Sequence, residues 1–237
     1  MLHLGSSEFY LPVRALPRRE LELLSTQLFD EWERHADTAL SLRDYSLFLQ
    51  VDEGSINGKG AIAASLVALY AGISSYGGFM SGVDTITQQV KSITQFLADH
   101  APYKYSCDDR KATVNKKGGV PSAIRRLFVQ VQKGELTPEE ATVRAERLIG
   151  LEAATAPGFL ESLVEALHNC PRFHEQSALL FEDEPESYEE IADAPSKPTS
   201  PRPRPPLAPP LSFRVEVWRE SKDDERRIRT VRLRGGA

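Results

Sequence analysis

Residues Gly60 to Val83, GAIAASLVALYAGISSYGGFMSGV, run from Lys59 to Asp84 without one charged side chain. As a helix these 24 residues rise about 36 Å, enough to cross a hydrocarbon core of about 30 Å. The serines and tyrosines within the stretch and the Gly77-Gly78 pair weaken a spanning helix, so an apolar helix inside a protein core fits the same length. Spacing is more specific than hydropathy. Ile62, Leu66, Leu69, Ile73, Tyr76, Met80 and Val83 advance by alternating steps of four and three, and Ile86, Val90, Ile93 and Leu97 continue the series. This seam predicts one helical segment over 60–99, apolar and then amphipathic, jointed at its glycines, with Asp84 as a cap between the halves. A stripe of small residues lies beside the seam: Ala61, Ser65, Ala68, Gly72, Ser75 and Gly82. Small residues at helical spacing let a second backbone approach closely, so the stripe predicts membrane contact through 60–97, or else close packing within the chain's own core or self-association. Were the segment to span, Lys104, Arg110, Lys111, Lys116, Lys117, Arg125 and Arg126 would hold its C-terminal side in the cytoplasm. Met1 to Tyr10 lacks the basic and apolar regions of a secretory signal peptide, which favours a cytoplasmic chain and, where lipid is involved, shallow insertion.

Upstream, residues 1–59 read as a small unit of strand and helix. Phe9 to Val13 suggests a short edge strand ended by Pro12. Leu21, Leu24, Leu28 and Trp32 follow Pro17 at helical spacing, with Glu20 and Glu22 early and Arg34 and His35 late, as the helix dipole favours. Tyr45, Leu47, Leu49 and Val51 alternate with Ser46, Phe48, Gln50 and Asp52, the period of a strand lying on a core.

Downstream, 100–181 reads as a long polar loop, 101–119, and then three helices. The first opens at Pro121 and stops at Gly134; the second opens on Thr137, Pro138 and Glu140, the pattern of a capping box; the third begins at Pro157. Residues 182–210 form a linker, first acidic (EDEPESYEEIAD) and then rich in proline (PSKPTSPRPRPPLAPP), a composition that cannot bury a core. Residues 211–237 hold Leu211, Phe213, Val215 and Val217 in alternation, a polar turn, and Ile228, Val231 and Leu233 among arginines, which predicts a β-hairpin. A lone hairpin is marginal, so it is expected to return to the body's strand or to join a sheet edge elsewhere. The fold class expected from these parts is α+β, mainly helical.

Candidate chemistry is sparse. The turn Gly54, Gly58, Lys59, Gly60 follows a strand and, on this reading, precedes a helix, so its amides would face a phosphate near a positive helix end. Its spacing is not that of a P-loop, which has four residues between the glycines and a hydroxyl after the lysine. His168, Cys170 and His174 lie within seven residues, and Cys107 with Asp108 of the 101–119 loop would supply a fourth ligand, but a second Cys-x-x-Cys or His-x-x-x-His pair is missing. No metal and no cofactor is therefore expected, and no catalytic residue stands out.

The terminal run Val231-Arg232-Leu233-Arg234-Gly235-Gly236 resembles the tail of ubiquitin-like proteins over six residues. That resemblance implies conjugation through the tail, but a whole β-grasp domain does not fit into the residues after the linker, and Ala237 follows the glycines. Conjugation is not expected. The chain has 29 basic and 34 acidic residues in 237, a balance that argues against coating nucleic acid as a whole. The leading expectation is a non-enzymatic interaction protein, associating with a membrane or with itself through the helical segment and recruiting a partner through the C-terminal hairpin; a membrane-perturbing effector is one form. The alternatives are a soluble phosphate- or nucleotide-binding domain using residues 54–60, and a nucleic-acid-binding adaptor using Lys104 to Arg126 and the C-terminal arginines.

Overall fold

In the computed structural model, which describes residues 1–108, 111–172 and 212–233, the uncharged stretch divides into three pieces. Gly60 to Ala64 completes a strand, β3 (Ile56–Ala64); Leu66–Ser74 is helix α2; and Phe79–Lys104 is helix α3. The expectation of one helical segment beginning at residue 60 is corrected by this. The step of four from Ile62 to Leu66 satisfies the period of a strand as well as that of a helix, so the seam did not register the change. What favours the strand is the packing of Gly58, Gly60, Ile62 and Ala64 on one face, all buried. A Cβ at Gly58 would overlap the Phe9 ring, and one at Gly60 would overlap Leu97. Ser65 then caps α2 by accepting the Ala68 amide at 3.2 Å.

α2 and α3 meet at an angle of 114° across a short break in which Gly77 takes φ +73°. At the inside of this bend Gly82 lies against the Ile73 carbonyl, and a Cβ there would overlap backbone. The seam is core along its length: Ile62, Leu66, Leu69, Ile73, Val83, Ile86, Val90, Ile93 and Leu97 are buried, and Tyr76 and Met80 pack against them.

The remaining described elements are β1 (Leu2–Leu11), α1 (Arg18–Ala39), β2 (Ser46–Asp52), β4 (Thr113–Gly118), α4 (Val120–Gln132), α5 (Pro138–Ile149), α6 (Pro157–His168), β5 (Ser212–Arg219) and β6 (Arg227–Leu233). The fold is α+β: six helices and one six-stranded antiparallel sheet, in the order β4-β1-β3-β2-β5-β6, among the described residues. The capping box of α5 forms as expected, with Thr137 and Glu140 exchanging bonds of 3.2 and 3.0 Å.

Two further elements, β1 and β4, differ from the sequence reading, whereas the C-terminal hairpin takes one of its two expected places. β1 is ten residues long and lies inside the sheet between β4 and β3, not a short edge strand at Phe9. Its first half, with Gly5, Ser6 and Ser7, carries too little apolar volume to read as a strand, yet that smallness lets α3 lie close: a Cβ at Gly5 would crowd Val90. A register shift between His3 and Gly5 marks a bulge. β4 replaces the central part of the expected loop; every residue from Thr113 to Lys117 is exposed, so no alternation announced it. The C-terminal hairpin returns to the body, where β5 pairs with β2 from Leu47↔Arg219 to Asp52↔Arg214. The linker expected over 182–210 lies outside the described residues, as does His174.

Helices α1 and α3 lie over one face of the sheet. The Trp32 indole is fully buried and donates its N–H to the Ile93 carbonyl at 3.1 Å, tying the two helices together. Lys104, the last residue of α3, reaches Glu31 of α1 at 2.7 Å.

Candidate interaction surface

Strand alternation sends every second residue away from α1 and α3. The outward set includes Ser6, Glu8 and Tyr10 on β1, Asn57, Lys59, Ala61 and Ala63 on β3, Ser46, Phe48, Gln50 and Asp52 on β2, and Arg214, Glu216 and Trp218 on β5. All of these except Ser6 keep solvent exposure, so this side of the sheet is open. Its aromatic members are Tyr10, at 41% exposure, Phe48, at 36%, and Trp218, which sits directly across from Phe48. Between them the charges are matched within the sheet. Glu8 bridges Lys59 at 3.2 Å and Lys117 at 3.3 Å, and Arg214 holds Asp52 at 2.6 and 3.0 Å. Burial alone would raise the Glu8 carboxyl, but the hydrogen bonds and charges of the two lysines hold it below its ordinary value.

A clamp on the covered side fixes where the hairpin sits. Arg219, the last residue of β5, is 4% exposed and contacts Glu33 and Asp37 of α1, each at 2.9 Å, while its guanidinium lies over the Tyr45 ring. Tyr45 donates its hydroxyl to Asp37. Burial works against the Arg219 charge, yet the hydrogen bond and charge of Asp37, with Glu33 beside it, raise its pKa further. Burial would likewise raise Asp37, but Arg219 and Tyr45 hold it below its ordinary value; Glu33, for which burial outweighs the arginine, is raised. Asp44 receives the turn of the hairpin, accepting the Ser221 hydroxyl at 2.8 Å and the Lys222 amide at 3.0 Å. Farther along, Thr230 of β6 donates to Glu22 of α1 at 2.6 Å, and Arg226 pairs with Asp30.

β6 forms one margin of the sheet. Seven residues, RIRTVRL, are paired with β5 on one side, and no strand lies on the other among the described residues. Arg227 pairs with Glu220 at 2.8 Å, whereas Arg229 and Arg232 have no ion-pair partner among the described residues.

Comparison with protein-family models, curated proteins and solved structures returns no match. The surface is therefore read from its own chemistry.

The residues singled out in the sequence fall in several places. Of the small-residue stripe, Ala68, Gly72 and Gly82 are buried inside the molecule, Gly72 against Leu42 and Gly82 against Ile73; Ala61 lies on the open face of β3; Ser65 caps α2; and Ser75 ends it. The turn at Gly54 joins β2 to β3, so no helix begins after Gly60, and Gly58 and Gly60 lie within β3 with Lys59 held by Glu8. The helix start expected for a phosphate cradle is thus corrected to a strand, in which Gly58 makes room for the Phe9 ring and Gly60 for Leu97, while Gly54 takes φ +117° in the turn. Cys107 and Cys170 form no disulfide among the described residues, and His168 contacts Glu139 at 3.2 Å. No group of three or more His, Cys, Asp or Glu among the described residues is placed to hold a metal. The basic residues expected to serve nucleic acid are dispersed: Lys104 contacts Glu31, Lys117 contacts Glu8, and Arg125 contacts Asp84 at 2.9 Å.

Sequence reading missed Tyr10 and Trp218. Phe48 was visible as the one aromatic residue on the polar side of an alternating strand. The same alternation through Val215 and Val217 would have turned Trp218 outward beside it.

Proposed function

We propose that this chain is a non-enzymatic interaction protein whose partner docks on the sheet toward its C-terminal hairpin. The observation that carries this reading is the one-sided cover of the sheet: α1 and α3 lie on one face, while Tyr10, Phe48 and Trp218 stand among ion pairs on the other. Aromatic side chains with satisfied charged neighbours supply contact area at low conformational cost, as at protein interfaces. The hairpin contributes Trp218 and the margin of that face, in keeping with a recruiting role for the C-terminal part.

The test is a photo-crosslinking amino acid placed at Phe48 in the full chain in its native cells, with a second chain carrying it at exposed Val143 of α5. A discrete adduct at Phe48, absent at Val143 and lost with Trp218→Glu, is the expected result. Equal labelling at both sites, or none at Phe48, overturns the reading.

A membrane role for the α2–α3 pair is the second reading, favoured by one observation. No single helix among the described residues is long and apolar enough to cross a membrane, but α2 and α3 taken together, bent by 114°, pass by length and composition. Because their apolar side chains fill the core, this role requires the pair to swing out of the sheet. Its test is fractionation with high-salt and alkaline carbonate washes: retention of the full chain through both supports it, and release counts against it.

A further inference from the structure

We infer that the outer edge of β6 takes an acidic, extended segment of a partner protein, added as a seventh strand. The inference rests on the interaction reading above and specifies its partner chemistry. Two independent features of β6 converge on it.

The first is the backbone. A strand with one neighbour presents alternate N–H and C=O groups outward, and those of β6 extend over seven residues without proline. The opposite margin of the sheet, β4, is shorter, and its lysines are engaged, Lys116 with Gln95 and Lys117 with Glu8. Tying β5 to α1 through buried Arg219, and β6 to α1 through Thr230 and Arg226, holds the edge in place as a template.

The second is charge. β6 and the residue before it hold Arg226, Arg227, Arg229 and Arg232. Arg226 and Arg227 are spent on Asp30 and Glu220, leaving Arg229 and Arg232 exposed. The strand register places Arg229 opposite Glu216, on the open face, and Arg232 opposite Phe213, on the helix side. These two charges, without an ion-pair partner among the described residues, therefore flank the edge from opposite sides, three residues apart. A second copy of β6, RIRTVRL, would bring further arginines to this edge and no acidic residue to meet them, which disfavours pairing between copies. An incoming strand with two acidic residues three positions apart would meet both, one on each face, while its backbone completes the ladder.

The experiment selects peptides from a random ten-residue displayed library on the full chain at low salt. The expected consensus has two Asp or Glu residues three positions apart with no proline between them. A selected peptide is then titrated by fluorescence anisotropy. Arg229→Glu with Arg232→Glu should weaken it about tenfold or more. Arg144→Glu with Arg147→Glu on α5, an equal change in net charge, should leave it within about twofold. Peptide N-methylated at the amides that face β6 should not bind, whereas methylation at the alternate amides should be tolerated. Failure to enrich any peptide, a consensus without the acidic pair, or equal weakening by the α5 variant overturns the inference. A third chain, with the acidic residues of 182–193 changed to their amides, covers occupation by the molecule itself: peptide binding seen only in that chain also overturns it. Loss of this site with the Phe48 adduct intact would remove the edge-strand inference alone; loss of the Phe48 adduct would remove the broader reading.

Discussion

On the covered face of the sheet, Gly5, Gly58 and Gly60 stand where larger residues would collide with Val90, Phe9 and Leu97; on the open face Glu8 of β1, Lys59 of β3 and Lys117 of β4 form an ion-pair bridge. The covered side accepts helices by removing volume from the strands, and the bulky side chains come from α1, α3 and β1. The open side keeps its volume, with Phe48 and Trp218 directly opposed, and balances its charges within the sheet. Under the proposed reading, those two partly exposed aromatic residues belong to a contact surface, whereas the covered side serves packing alone.

The comparison breaks most completely at the α2–α3 bend. Gly82→Leu is expected to abolish the folded state, or to cost more than about 4 kcal/mol, because the new side chain must displace the Ile73 backbone. Urea unfolding followed by tryptophan fluorescence checks this, and a variant as stable as the parent would show that the bend is not fixed. Next comes Trp32→Ala, expected to cost about 4 kcal/mol, since it empties the space between α1 and α3 and removes the bond to Ile93. The same urea series measures it.

The clamp that sets the hairpin on the sheet gives a smaller, pH-dependent effect. Asp37→Asn is expected to cost about 1–2 kcal/mol at neutral pH, discounted for its partial exposure. Asp37 titrates below its ordinary value of 3.8 in the fold, so its contribution is complete above that value and disappears as the pH falls through the lower folded value. Parent and variant stabilities should therefore converge in acid. Glu33 is raised, so its ionised form costs stability at neutral pH and that cost is relieved on acidification; Glu33→Gln should lose less than Asp37→Asn. Paired denaturation curves from about pH 7 down to about pH 2, spanning both sides of each ordinary value, test both signs. The smallest effect sharpens the contrast from the other side: Phe48→Thr should change stability by about 0.5–1 kcal/mol while removing much of the aromatic pair. A loss as large as that of Trp32→Ala would mean that the open face is structural.

Much of the framework was legible in the sequence: α1, β2, the three helices after residue 120, the capping box at Thr137 and the C-terminal strands all follow from periodicity and caps. Three things were not, for one shared reason. β1, the strand part of residues 60–64 and β4 are strands whose identity depends on what lies beside them. Gly5, Ser6 and Ser7 carry no apolar signal until α3 lies over them, and Thr113 to Lys117, all exposed, offer Val114 as their one apolar residue. The candidate surface was half legible. Phe48 stood out on an alternating strand, but its pairing with Trp218 joins residues 170 positions apart.

By itself the sequence determined the helix starts, the alternation of β2 and β5, the small residues at which close packing is possible, and the excess of arginine in β6. Only the tertiary structure decided that Gly60 to Ala64 is strand, that the small residues at 72 and 82 are met by this chain's own Leu42 and Ile73, and that the hairpin extends β2. The physical reason is that propensity and periodicity act over a few residues, whereas strand pairing and burial depend on partners brought together from across the chain.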